Sequence, residues 1–545
     1  MKNIKYILLT AVLVSFTACN DEEDFEDQLD NSTEEVVYPD LNPGTADFSN
    51  YVAIGNSLTA GFTDNALFIA SQENSMPNML AQKFALAGGG TFTQPLMNDN
   101  IGGLLFGGNQ NEDGSFGPRL YFDGSGPASL PGMSSTEAFA PSLGSQNNMG
   151  VPGAASFHLL YDGYGNPANL VTDPPSANPY FVRMASNPSA TVLGDALAQQ
   201  PTFVSLWIGN NDVLGYATSG GDATLASITP SDGPPGVGFD QTIETIVGAL
   251  QNAGVQGVMA NIPYVTTIPH FTTVPHNPLD PTNPDFGPQI PLLNSIFGAL
   301  NPIFEAVDPN RAIVFSETEA SAVVIRDESL DDISTTIIDA LNASPTFPAF
   351  IAQFGLPAAA APSVANLLGV TYGQTRQATA DDLLVLPSSS VIGTVNMESV
   401  ASLMNQGLPQ ALAGQFSVEG VSLPLEDKWV LLPTEQDEIN IATDNFNATL
   451  EAAATSAGFA FVDANSLMSQ LDNGGYPDGN FILTSSLVSG GAFSLDGVHP
   501  TARGYALLAN QFMKAIDETY GSNFEASGNL LDIGNYPTNY PPTLQ

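Results

Sequence analysis

The chemistry-bearing residues of this chain fall in four short segments, and the most specific is Phe493-Ser494-Leu495-Asp496-Gly497-Val498-His499-Pro500. An Asp and a His three apart, just before a helical pattern, can share one turn. The carboxylate then orients the imidazole, which is free to take a proton from a hydroxyl. Ile54-Gly55-Asn56-Ser57-Leu58 offers that hydroxyl, because Ser57 follows an apolar run and precedes a helix. A serine there has its Oγ at a sheet edge, suited to nucleophilic attack. A serine at a helix start is also an ordinary N-cap. Asn148-Met149-Gly150-Val151-Pro152-Gly153 places a glycine whose amide could approach a substrate oxygen, or simply makes a Pro-Gly turn. In Gly209-Asn210-Asn211-Asp212 the Asn211 amide could donate to developing negative charge, or close an Asx turn. The chain has four histidines. His158 lacks an acidic neighbour at a comparable position, and His270 and His276 sit among prolines. These three read as structural or rim residues.

Elements that could position these segments follow from the hydropathy pattern. Buried strands are expected at 51–54, 203–208, 255–262 and 459–463, and helices at 77–84, 241–253, 435–457 and 502–520. Strands alternating with helices imply a parallel sheet covered on both faces. Strand C-termini of such a sheet meet in one crevice, so distant segments can converge there. Two stretches interrupt the alternation. Residues 88–147 are rich in Gly, Asn, Pro and Ser and read as a long loop excursion. Residues 271–430 read as an inserted subdomain or cap, with helical stretches at 292–307 and 331–343.

Taken in order, Ser57, Gly153, Asn211 and the Asp496/His499 pair resemble the four blocks of the GDSL, or SGNH, hydrolase family. The resemblance covers about 48–270 and 430–522; the insertion has no counterpart in the minimal family fold. It implies a flavodoxin-like three-layer α/β/α sandwich and a serine esterase or lipase with the triad Ser57, Asp496 and His499. It also implies an oxyanion hole made by the Ser57 and Gly153 amides with the Asn211 side chain, and neither metal nor organic cofactor. The chain departs from the family where Asn56 stands in place of Asp beside the serine. Asn keeps the shape and a hydrogen bond but loses the charge. No Gly-x-Ser-x-Gly elbow occurs anywhere in the sequence.

The remainder concerns location and partners. Lys2 and Lys5 precede an apolar run at 6–16, and Phe16-Thr17-Ala18-Cys19 holds the only cysteine. This resembles a bacterial lipoprotein signal, which implies cleavage after residue 18 and a lipid on Cys19, anchoring the protein at the outer membrane. A single cysteine excludes an internal disulfide. Residues 19–47 begin with an acidic block, Asp21-Glu22-Glu23-Asp24, expected to be an extended tether. The block also resembles export signals of surface lipoproteins in Bacteroidetes. The family resemblance implies that residues 48–270 and 431–522 are the two parts of the hydrolase domain, leaving 523–545 as a C-terminal tail. Lys+Arg number 11 against 56 Asp+Glu, a net charge of −45. That repels polyanions and argues against nucleic-acid partners; it fits adaptation to salt, or scattered calcium sites. Candidate substrates are lipid or fatty-acyl esters, and acetyl groups on polysaccharides. A surface lipoprotein that only binds glycan or lipid is the third reading.

Overall fold

The computed structural model describes residues 38–545 apart from 143 and 173. The signal peptide, Cys19 and the acidic block lie outside the described residues. At the centre is a five-stranded parallel sheet flanked by helices. Its strands are β1 (Tyr51–Gly55), β2 (Asn148–Gly150), β3 (Phe203–Trp207), β4 (Gln256–Ala260) and β5 (Ala460–Val462), in the order β2-β1-β3-β4-β5. β1 and β3 are buried along their whole length, as expected of strands covered on both faces. Register brings Gly55 opposite both Gly150 and Trp207, so three strand ends sit side by side.

The helices expected at 77–84, 241–253, 435–457 and 502–520 are found with ends shifted by at most two residues, together with shorter helices that the periodicity does not mark. α1 (Ser57–Ala60) leaves β1, and α2 (Met76–Leu86) follows it. α3 (Asn211–Thr218) leaves β3, and α4 (Phe239–Asn252) leads into β4. α5 (Pro433–Ala457) precedes β5, α6 (Ala464–Asp472) follows it, and α7 (Ala502–Tyr520) closes the fold. α2 packs on α7 and α4 on α5. Phe239 stacks on Phe446 at 4.0 Å between ring centres in the second pair.

Between these parts, residues 274–432 gather a core of their own, including Phe297, Phe304, Phe315 and Tyr372. The helices expected at 292–307 and 331–343 are found as Ile290–Val307 and Ser334–Ala343. Arg376 pairs with Asp327 and Asp382 at 2.6 Å each, both carboxylates buried.

Three segments differ from their sequence expectations. Asn148–Gly150, anticipated only as a turn, is the edge strand β2; three residues are too few for a period-two signal to register. Part of the tether is docked, not extended. Asn523 Nδ2 donates to Asp40 O, Thr45 N to Tyr520 O at 2.8 Å and Asp47 N to Gln256 Oε1 at 2.8 Å. The C-terminal tail is likewise built in. Arg119, fully buried, donates to the carbonyls of Asn100, Tyr540, Pro541 and Leu544. One side chain thus ties the Gly-rich excursion to residues 540–544.

Candidate active site

Asn56, not Ser57, caps α1. Its Oδ1 accepts from Leu58 N at 3.0 Å and its Nδ2 donates to Asn210 Oδ1 at 3.2 Å. The side chain is wholly buried, which suits an uncharged amide better than a carboxylate lacking a cation. The capping role being filled, Ser57 is free to face elsewhere. Its Oγ lies 2.9 Å from His499 Nε2, and His499 Nδ1 lies 3.0 Å from Asp496 Oδ2. An ionised Asp496 puts the neutral ring's proton on Nδ1, so Nε2 can accept the serine proton.

Asp496 is held on every side. Its Oδ1 accepts from the amides of Val498 and His499 at 2.8 Å, and its Oδ2 from Asn65 N at 2.8 Å. Burial alone would raise its pKa. The charge and hydrogen bonds of His499 and the Val498 amide outweigh it and hold the carboxyl well below the usual range.

Asn65 and its neighbour Asp64 are the positioning residues that the motif analysis missed. Both have left-handed backbone, with φ of 63° and 50°, which Asn and Asp tolerate better than other side chains. The turn presents Asn65 N to the triad while Asp64 grips the same loop. Asp64 N donates to Ser494 Oγ at 3.0 Å, and Leu495 N donates to Asp64 Oδ1 at 3.1 Å. Thr63 Oγ1 donates to Pro500 O at 2.9 Å. The only sequence signal was an Asp-Asn pair shortly after Ser57, indistinguishable from any turn. Burial pushes the Asp64 carboxyl up to about 7, with Arg119 and the Leu495 amide opposing.

Gly153 follows β2 in a turn, exposed and with φ of 80°. Asn178 Nδ2 holds that turn by donating to Pro152 O at 2.8 Å. Asn211 opens α3, and its Nδ2 donates to Ala154 O at 2.8 Å, so the second and third segments meet. One amide proton of Asn211 is spent there and the other is free to point at a ligand. Asp212 is an anchor; it accepts from Ser156 N and Oγ, and burial raises its carboxyl to about 6. Asn210, also unanticipated, acts through Asn56.

Ser57 follows β1 and Asn211 follows β3, the pair of strands where the order reverses direction. That reversal opens a crevice at the strand C-termini. From it an apolar slot runs inward from Ser57, Asn211 and His499 between Leu214, Val265, Leu467, Met468 and Leu471. Gly153 is not among its walls.

The other histidines stand apart from the proton path. His158 stacks on Tyr164 and takes a hydrogen bond from Ala155 N; burial lowers its pKa to about 4. His276 gives its backbone carbonyl to Val323 N. His270 lies against the Asp496–Gly497 turn, its backbone N–H donating to Gly497 O at 2.9 Å, and it is not among the walls of the slot. Among the described residues, Glu328, Asp427 and Glu435 could offer three oxygens to a cation, and none of them lines the slot. Burial raises the Glu435 carboxyl, which favours a shared proton within the group.

Compared with protein-family models, with curated proteins and with solved structures, the chain finds no match.

Proposed function

We propose that this protein is a serine ester hydrolase of the SGNH type, acting through an acyl-enzyme on Ser57. The observation that carries the reading is the continuous path from Ser57 Oγ to His499 Nε2 and from His499 Nδ1 to Asp496. The strand order is the flavodoxin-like one of a three-layer sandwich, and it fits the same family. In the first step His499 takes the Ser57 proton as Oγ attacks the ester carbonyl. The Ser57 and Gly153 amides and the free Asn211 N–H are assigned to the oxyanion. His499 then gives its proton to the leaving alcohol, and water attacking by the same route releases the acid.

The apolar slot favours an aliphatic acyl group over acetyl, because acetyl would leave Leu467, Met468 and Leu471 uncovered. A binding-only role is the weaker reading, since binding requires no aligned proton path. A lipid on Cys19 at the outer membrane remains part of the proposal from sequence alone.

The test is labelling with a fluorophosphonate, with the adduct mapped by peptide mass. Label on Ser57, absent from Ser57→Ala, is the expected result. Turnover of p-nitrophenyl octanoate should fall on the order of 10⁶-fold in that variant, and losing His499 as well should add little. Wild-type turnover by Ser57→Ala would end the assignment.

A further inference from the structure

Apart from Ser57, Asn210, Asn211 and His499, every side chain lining the slot is apolar, and Trp207 has spent its N–H on Asn261 O at 3.0 Å. Two helices form much of the wall. α7 begins at Ala502, three residues after His499, and contributes Gly504, Leu507 and Leu508, one face at helical spacing. The next residues on that face, Gln511 and Phe512, are not among the walls. α6 contributes Ala464, Leu467, Met468 and Leu471 in the same way and ends at Asp472.

At about 1.5 Å per residue, Leu508 lies roughly 9 Å along α7 from its first residue, and Ala464 to Leu471 spans roughly 10 Å of α6. An extended alkyl chain advances roughly 1.25 Å per carbon, given C–C bonds of about 1.5 Å at about 111°. The walls therefore accompany about seven or eight carbons. The free space in the slot is about 90 Å³. One water needs roughly 10–15 Å³ of such space and a methylene is of similar size, so about six to nine of them fit. Length and volume give the same count only if the slot is one chain wide. A branched acyl group would exceed that width, and a hydroxyl or charge along the chain would find no partner in the walls.

We propose that the slot is a ruler for the acyl group carried on Ser57: it takes one unbranched chain of about eight carbons, and Leu508 on α7, with Leu471 on α6, sets the upper limit. Both leucines are buried. The proposal rests on the ester-hydrolase reading above and specifies only the acyl half of the ester; the bonds made and broken are those of that acyl transfer. Each methylene that replaces water along the apolar walls strengthens binding about fourfold. A carbon beyond Leu508 meets no further wall and adds nothing of that kind.

The test is a series of p-nitrophenyl esters that differ only in the acyl chain: butyryl, hexanoyl, octanoyl, decanoyl and dodecanoyl. In the wild type kcat/KM should climb about fourfold per methylene up to octanoyl and then stop climbing. Leu508→Trp shortens the slot and should lower the octanoyl-to-butyryl ratio about tenfold or more, the loss of two or more buried methylenes. Leu508→Ala and Leu471→Ala lengthen it and should move the break to decanoyl or dodecanoyl. The wild-type profile needs no variant, and the two directions of change keep the proposal testable if Leu508→Trp does not fold. A wild-type profile that is flat, or that still climbs at dodecanoyl, overturns the ruler while leaving the esterase reading intact. So does an unmoved break in folded Leu508→Ala and Leu471→Ala. Hydrolysis of no ester, with no label on Ser57, would instead remove the esterase reading and the ruler together.

Discussion

At the residue scale, the arrangement turns on what each amide and carboxylate already does before a ligand arrives. Asn211 is committed through one proton to Ala154 O, which fixes the direction of the other. Replacing it by Ala should lower kcat about 10²–10³-fold, the usual cost of one oxyanion donor. Steady-state kinetics on p-nitrophenyl octanoate separate the cases; a change confined to KM would place Asn211 in ground-state binding. Asp64 supplies a pH signature. Folding raises its pKa from 3.8 to about 7, so the native state holds an extra proton between those values. The stability linked to that proton is fully present below about pH 4 and is lost as pH rises through about 7. The slope approaches about 1.4 kcal/mol per pH unit. Asp64→Asn keeps an acceptor for Leu495 N but cannot titrate. Urea unfolding between pH 5 and 7 should show a flatter dependence in the variant, and an unchanged slope would exclude Asp64 as its source.

Among the elements, the close approach of β2 to α1 matters most, because it sets where Ser57 stands. A Cβ on Gly150 would run into the backbone of Thr59 and Ala60. Gly150→Ala should therefore push the serine helix away from His499, costing about 1–3 kcal/mol of stability and lowering kcat with it. Thermal melts and kinetics on the same sample check this; full activity at wild-type stability would mean that the helix yields without consequence. This contact also marks the limit of what the sequence discloses. β1, β3, β4 and β5 are legible because they are apolar runs between turns, and α5 and α7 because their periodicity is long. The triad is legible through Asp496 and His499, which share one turn. β2, the Asp64–Asn65 turn and the Asn56–Asn210 bond are not, because each depends on partners far along the chain. Asn65 meets Asp496 across more than four hundred residues, and no local pattern encodes that pairing.

Over the whole molecule, charge is the dominant global term. A net charge of −45 repels itself, and the described residues hold few ion pairs beyond those of Arg376, Lys428 and Lys514. Raising NaCl from about 0.01 to about 1 M shortens the screening length from about 30 to about 3 Å. The melting temperature should rise across that range, since more repulsion than attraction is screened. A flat or falling melting curve midpoint would show that repulsion is already relieved, for instance by bound cations. The docked segment at 40–47 has a directional consequence. Its bonds reach Gln256 and Tyr520, and Thr202 Oγ1 donates to Asp47 O, so the chain arrives where β1, β3 and β4 begin. Ser57 and Asn211 sit where β1 and β3 end. The molecule is thus polarised, with the docked N-terminal segment at one end of the sheet and the candidate site at the other.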